Sequence, residues 1–405
     1  MDAPDRTGPH RTPPEVPLSV VLSLSGASPS RVAVGSSPLA ELTAALHAYT
    51  EAEHHPRAIH WARGLETHGT APAPDPDPSP DPDLSPAPAP APAVSALDPA
   101  LRRRVRDWAP LWSSYRARYL LPLGAVGDRP LDAEVADIAR LPLPLFAELT
   151  AYAIRGGNSG MPLDRVLEEQ AQREGLLEAA ERRSTARSEL ARRLLHAPES
   201  LRADLLDLLD RAARALEPDL ARAARAISGR LPGLRRAVEH DGPGRALAAL
   251  DPAAVYRDEP PRVVFDKFHH GIVNVATTPV LVVPSVFGGP HLLVKHEPGF
   301  AAVVQYPLLP ESDDQPGYAT VHRRLEVLRD PGRQRIARAI AREPLTPSEL
   351  ATRSGMSLPQ VSRHLARLRE AGLVTVERDG RRAYYQLHLE RVRRLGDDLL
   401  TALFH

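Results

Sequence analysis

The chain has 405 residues, about three times the ~150 typical of one domain, so two or three folded units are expected and a single small scaffold is excluded. It contains no cysteine, which rules out disulfides, thiolate metal clusters and cysteine nucleophiles and leaves any metal to His, Asp or Glu. The formal charge is zero, 51 basic against 51 acidic residues, yet residues 320–405 hold 17 arginines, no lysine and 10 acids, net +7, leaving the first 319 residues at 34 against 41, or −7. A basic C-terminal segment joined to an acidic remainder suggests a nucleic-acid-facing module attached to a unit with another task. No run of about 18 apolar residues occurs, and the opening MDAPDRTGPHRTPPE is polar and proline-rich. A cytoplasmic protein with no membrane partner is therefore expected.

Residues 1–15 are expected to be disordered. Leu18 to Leu24 and Arg31 to Val34 read as short strands, being rich in β-branched and apolar residues. Ser37 before Pro38 is a cap followed by a helix-starting proline, and Leu39, Leu42, Leu46 and Tyr49 recur at helical spacing. Residues 71–93 hold 10 prolines in 23 positions, which forbids ladders and helices and favours extended polyproline II. At about 3.1 Å per residue such a tract spans up to ~70 Å. It reads as a disordered insertion over 69–97.

Between Leu101 and Leu250 the pattern is helical, punctuated near Pro122, Gly156, Pro198, Pro218 and Pro232, with Leu201, Leu205, Leu208 and Ala212 forming a stripe that reads as core packing. The period then changes. Arg262 to Phe265, Val280 to Val283, His291 to Val294 and Ala301 to Tyr306 are short apolar runs separated by Gly and Pro, which predict strands of an antiparallel meander. Part of that sheet is expected to pair with the early strands.

The last segment is the most informative. Asp330 caps a helix beginning at Pro331, with Ile336 and Ile340 on its buried side. Thr346 and Glu349 form a T-x-x-E capping box for a further helix ended by Gly355, and Ser357 and Gln360 form an S-x-x-Q box for another stopped by Gly372. Two short capped helices joined by a turn at Gly355 are a helix-turn-helix pattern. In SLPQVSRHLARLREAG the apolar residues Leu358, Val361, Leu365 and Leu368 share one face, opposite Pro359, Gln360, Arg363, Ala366 and Arg367. Gln and Arg lie toward the helix N-terminus and no acid occurs before Glu370, which favours a DNA-reading face over a merely solvated one. LVTVERDGRRAYYQL then alternates about Asp379-Gly380 as a hairpin whose tip carries Arg378, Arg381 and Arg382.

In LRDPGRQRIARAI, LTPSELATRSGMSLPQVSRHLARLREAGLV and ERDGRRAYYQL the segment from about 322 to 404 resembles the winged helix-turn-helix of ArsR-family bacterial repressors. The resemblance implies a homodimer on double-stranded operator DNA with an inverted repeat, its first and last helices, around Leu325 and from Leu389 to Phe404, packing across the twofold. Val392, Leu395, Leu399 and Leu403 do form one apolar stripe. DNA contacts are expected from Ser357, Pro359, Gln360, Ser362, Arg363, His364, Arg367, Arg378, Arg381 and Arg382. Metal-sensing members carry cysteines on the helix before the recognition helix; SELATRSG has none, so a thiolate site is absent. Zinc sensors with Asp and His on the last helix suggest His388, Asp397, Asp398 and His405, but the spacing does not bring these onto one face. The fragment Val283 to Phe287, VPSVF before a Gly/Pro turn, is similar to one in a group of long actinobacterial ArsR-type regulators, which implies an effector portion in front.

No G-x-x-x-x-G-K-[ST], G-x-S-x-G, H-E-x-x-H or G-x-G-x-x-G occurs. His269, His270, His291 and His296, with Asp266 nearby, read as ordinary polar and turn positions, since adjacent strand residues face opposite ways; His54 and His55 carry still less signal. The expected fold class is α+β multi-domain. A mixed domain over 16–312, helix-rich with a small, mostly antiparallel sheet, precedes a winged helix-turn-helix over 320–405. The expected function is a DNA-binding transcriptional repressor whose N-terminal domain senses a small-molecule effector or partner, with no catalytic residue, metal or cofactor. The alternative is an enzyme or metal-binding module fused to a DNA anchor.

Overall fold

The computed structural model describes residues 19–55, 58–66, 95–113, 115–127, 129–158, 160–251, 254–267, 270–308, 318–379 and 382–404. The N-terminal stretch 1–15, the whole proline tract 71–93 and residues 309–317 lie outside the described residues; Leu97, at the end of the insertion expected over 69–97, is buried in the core. No described helix is long and apolar enough to cross a membrane.

Residues 19–308 combine a helical layer with two four-stranded sheets. The strands are β1 (Ser19–Ser23), β2 (Val32–Val34), β3 (Val255–Asp258), β4 (Pro261–Asp266), β5 (Gly271–Asn274), β6 (Val280–Ser285), β7 (Leu293–Lys295) and β8 (Ala302–Pro307). The sheet orders are β3-β4-β1-β5 and β2-β6-β8-β7. This corrects the expected small, mostly antiparallel meander. β1 runs parallel to β5, β2 to β6 and β6 to β8, while β1–β4, β3–β4 and β7–β8 are antiparallel. An alternating pattern reports which face of a strand is buried, not the direction of its neighbour, and long helical connections permit parallel pairing. Strands β3 and β5 escape sequence reading because they are short and carry no apolar run on one face: Val255 is 41% and Ile272 79% exposed, while Val273 is buried.

Strand β6 is buried at every position. Val280 and Val282 face a core shared with Val20, Leu22, Val263 and Phe265 of the first sheet and with Ile227, Leu231 and Val238. Leu281 and Val283 turn the other way, onto Ala40 and Leu121. Cover on both faces explains why this strand is continuously apolar rather than alternating.

The helix Pro38–Thr50 sits between that sheet and the helical layer. Its start is local chemistry: Pro38 occupies the first turn and the Ser37 hydroxyl accepts from Ala40 N at 3.1 Å. Leu39, Leu42 and Leu46 join Trp61, Trp112 and Phe146 in the largest core, which also takes up the expected stripe of Leu201, Leu205, Leu208 and Ala212. The helix is buried around its circumference, so it also buries Glu41 and Thr43. Glu41 accepts from Ser285 Oγ at 2.5 Å, Val286 N at 2.9 Å and Phe287 N at 3.1 Å. Burial pushes its carboxyl above the usual carboxylate range, against the pull of these bonds.

Pro198 and Pro218 open the helices Pro198–Ala215 and Glu217–His240, and Gly156 closes Leu143–Arg155 with φ 83°. Pro232 does not interrupt the chain as its type suggests; it lies inside Glu217–His240. Packing of Ile227, Leu231 and Val238 outweighs the loss of one backbone donor.

Replacing Glu41 with Leu strands one hydroxyl and two amide donors in a dry interior. Glu41→Leu should lower the free energy of unfolding by about 2–4 kcal/mol, and Glu41→Gln, which keeps an acceptor, by roughly half as much. Denaturant unfolding followed by tryptophan fluorescence checks this; equal losses in both variants would remove the hydrogen bonds as the cause.

Candidate functional site

The C-terminal unit is built on local capping. Asp330 accepts from Arg333 N at 2.8 Å to start Pro331–Ile340. Thr346 and Glu349 form the expected capping box of Pro347–Ser354, with Thr346 N donating to Glu349 Oε2 at 2.8 Å. Gly355 then takes φ 68°, a conformation that L side chains rarely adopt, and lets the chain turn into Leu358–Glu370. Ile336, Ile340, Leu350, Val361, Leu365 and Leu368 close one core with Leu373 and Val374. Strands β9 (Val374–Asp379) and β10 (Arg382–Leu387) pair antiparallel with Asp379 opposite Arg382. Asp379, expected in the turn with Gly380, is therefore the last paired residue of β9; residues 380 and 381 lie outside the described residues. Leu345 and Tyr385 exchange backbone hydrogen bonds of 3.0 and 2.9 Å, fastening the wing to the helices.

On Leu358–Glu370 the structure exposes Pro359, Gln360, Ser362, Arg363 and Arg367, and Ser357 just before it. Leu358 departs from expectation: it is 48% exposed and does not share the buried face of Val361, Leu365 and Leu368. Among the described residues Arg363 makes no hydrogen bond or ion pair, whereas Arg367 meets Glu370 at 3.3 Å. Gln360 has a structural duty, because its Oε1 accepts from both Ser357 N and Ser357 Oγ at 2.9 Å. Bidentate pairing with adenine needs that oxygen as well as the amide nitrogen, so Gln360 cannot cap and read in this way at once. His364 is half-buried, its Nδ1 3.9 Å from Asp330 Oδ1, which makes it a packing partner of the neighbouring cap. Arg378 and Arg382 are exposed on the wing; Arg381 lies outside the described residues.

The first and last helices of this unit, Tyr318–Arg329 and Leu395–Phe404, are joined by buried Arg324, whose Nη1 donates to Asp398 Oδ2 at 2.9 Å. Asp398 is thereby engaged, and His388 Nδ1 accepts from Arg391 N at 3.4 Å. His388, Asp397 and Asp398 are not brought together, and His405 is outside the described residues. Tyr318, Leu325, Leu389 and Leu403 remain exposed, and Val392, Leu395 and Leu399 half-buried.

In the N-terminal unit a cleft of about 800 Å³ opens beside Ser36, Ser37 and Pro38. Its walls are mostly apolar, with Leu131, Val135, Leu206, Leu220 and Ile227, and Glu41, Asp210, Arg214 and Glu217 at intervals. Next to Ser37, Glu134 Oε2 accepts from Leu39 N at 2.8 Å and Ser37 Oγ at 3.1 Å, and burial raises its pKa. The histidines singled out by sequence separate. His296 lies against Gly271, beside His270, while His291 stands elsewhere, with His47 and His55. His269 is outside the described residues. Sequence reading missed this second grouping because two of its members sit on a helix and the turn after it, far along the chain from His291.

The capping duty of Gln360 can be tested without DNA. Gln360→Ala should remove about 1 kcal/mol of local stability and speed amide exchange over residues 357–362 roughly fivefold. Arg363→Ala should leave exchange unchanged. Hydrogen-exchange mass spectrometry of the full chain tests this, and equal acceleration in both variants would exclude the cap as the distinguishing interaction.

A family of unknown function (DUF5937) matches residues 18–70 and 85–312, and a helix-turn-helix domain matches 328–377. Among curated proteins, the HTH-type transcriptional regulator KmtR of Mycobacterium tuberculosis is 38% identical over 79 residues, 20% of this chain and 61% of that protein. The arsenic resistance transcriptional regulator ArsR1 of Pseudomonas putida is 47% identical over 64 residues, 16% of this chain and 50% of that protein. The chain thus spans about half to three-fifths of the length of these relatives. A solved homodimeric winged helix-turn-helix DNA-binding domain from Mycobacterium bovis, described as a possible ArsR-family regulator, is 28% identical. It covers 22% of this chain and 82% of its own, with a TM-score of 0.19. The chain belongs to the family of unknown function (DUF5937), and its C-terminal unit is a winged helix-turn-helix of the ArsR family.

Proposed function

We propose that this protein is a transcriptional repressor that binds an inverted-repeat operator as a homodimer, with the N-terminal unit tuning DNA affinity when a small molecule enters its cleft. The observation that carries the reading is the exposed face of Leu358–Glu370, where Arg363 has no partner among the described residues and no acid precedes Glu370. A guanidinium held on a helix and unsatisfied by its own chain is suited to a guanine edge in the major groove. Arg378 and Arg382, on a hairpin fastened at Leu345, are placed for phosphates. The net charge of +7 over residues 320–405 supplies the attraction that all sequences share.

The effector role rests on the cleft's chemistry. A mostly apolar concavity with a few polar groups suits a small organic ligand better than hydrolytic chemistry, which requires convergent acids and bases with room for water. The N-terminal unit is accordingly read as non-catalytic. A coupling of about 1–3 kcal/mol between cleft and DNA suffices for a switch.

Titrating the full chain with an operator selected from random duplexes, and with a scrambled duplex, at several salt concentrations tests the DNA reading. Arg363→Ala should cost about 1–3 kcal/mol on the operator and little on the scrambled duplex. Arg382→Ala should weaken both alike and lower the magnitude of the log–log salt slope by about two per dimer. If both variants weaken both duplexes alike, the division of labour is wrong.

Dimerisation is assigned to the first and last helices, whose Tyr318, Leu325 and Leu403 are 56%, 36% and 51% exposed. Burying several such side chains at ~1.5–3 kcal/mol each is a sufficient drive for association. Sedimentation at micromolar concentration should show wild-type dimers and Leu399→Arg monomers; monomeric wild type, or a dimeric variant, rejects this interface.

A further inference from the structure

His47 lies in the Pro38–Thr50 helix, His55 just beyond the short turn that follows it, and His291 between β6 and β7, yet their ring nitrogens converge within 4.8 Å of one another. The ring centroids are 4.7 Å apart for His47 and His55, 4.9 Å for His55 and His291, and 5.5 Å for His47 and His291. His55 is wholly buried, and its Nδ1 donates to the Gly289 carbonyl at 2.6 Å. That bond places the proton on Nδ1, so Nε2 presents a lone pair, and this buried nitrogen has no hydrogen-bond partner among the described residues. A histidine that donates one N–H to a backbone carbonyl and offers the other nitrogen to its neighbours has the tautomer and fixed orientation of a metal ligand.

We propose that His47, His55 and His291 form a three-imidazole site for a divalent transition-metal ion of the zinc class. Metal–nitrogen bonds of about 2.0–2.1 Å in a tetrahedron set ligand atoms roughly 3.3 Å apart, so small ring rotations close the observed set onto an ion. Imidazole donors without thiolate suit zinc, nickel, cobalt or copper rather than magnesium or calcium. Negative charge is at hand in Glu51, whose Oε2 is 3.4 Å from His47 Nε2 and 3.0 Å from His54 Nδ1. Positive charge in this neighbourhood comes from Arg116, which donates to Gln305 Oε1 at 2.6 Å and faces Glu41, and from Arg187, which faces Glu51. Three imidazoles leave one tetrahedral position, open to the Glu51 carboxylate or a water molecule. The ion would cross-link the Pro38–Thr50 helix to the loop after β6, the same junction that Glu41 holds by hydrogen bonds.

The test uses tag-free full-length protein stripped with a chelator, and Co(II) and Zn(II) as probes. Wild type should take up one equivalent of Co(II) with the intense visible band of four-coordinate cobalt, lose that band to one equivalent of Zn(II), and melt several degrees higher with saturating Zn(II). His47→Gln and His291→Gln, checked for native circular dichroism, should lose the band and the shift, while His296→Gln keeps both. Protection needs no variant: Zn(II) should shield His47 and His291, but not His240, from diethylpyrocarbonate. Absence of stoichiometric uptake, unchanged uptake in a folded His291→Gln, loss in His296→Gln, or unshielded His47 and His291 would each overturn the site, leaving ring packing alone as the reason these histidines meet.

Discussion

The N-terminal unit is organised around a buried carboxylate. Glu41 sits on a helix buried on all sides and takes three donors from the end of β6 and the loop beyond it. An uncompensated acid there would be prohibitive, and two stranded amides with a hydroxyl would be nearly as unfavourable; together they satisfy one another. The pairing decides where the Val286–Phe287 segment lies, which brings the Phe287 ring to a centroid distance of 4.4 Å from Trp61. It also places Gly289 within reach of His55 and His291 beside His47. One wall of the cleft is the same helix, so cleft, histidine group and sheet edge share a single rigid support.

The C-terminal unit has the opposite character. Its stability is assembled from short-range devices, each completed within three or four residues: the Asp330 cap, the two capping boxes and the glycine turn. Long-range packing then adds a compact core and the Leu345–Tyr385 bridge to the wing. This economy produces a conflict at Gln360, where a residue of the reading type is also the second half of a helix cap. Arg363, one turn on, is exposed and has no such competing contact among the described residues.

Burial of charge recurs on the sheet side of the N-terminal unit. Arg118 and Lys295 converge on Glu297 at 3.6 and 3.3 Å, and Tyr115 donates to the same carboxylate at 3.1 Å. The Lys295 ammonium also lies over the Tyr115 ring, and burial draws its pKa down to about 8. Such groups are strongly destabilising if one partner is lost, because the remaining charge is left buried without compensation.

The capped helix starts at Ser37, Asp330, Thr346 and Ser357, the glycine stops at Gly156 and Gly355, the order of elements from Asp330 onward and the charge asymmetry were legible in the amino-acid sequence, whereas Pro232 misled as a stop. Each depends on residues close together along the chain, where sterics and capping act without knowledge of the fold. The ArsR resemblance was readable for the same reason. What only the tertiary structure decided were relations over long separations. Alternation cannot encode strand direction, so the mixed sheets were not visible; β3 and β5, four residues each, are too short to show a period. The histidines that meet were not those adjacent in sequence, because 234 residues separate His55 from the carbonyl that orients it. Contacts of that range are selected by the packing of whole elements, and no local pattern carries them.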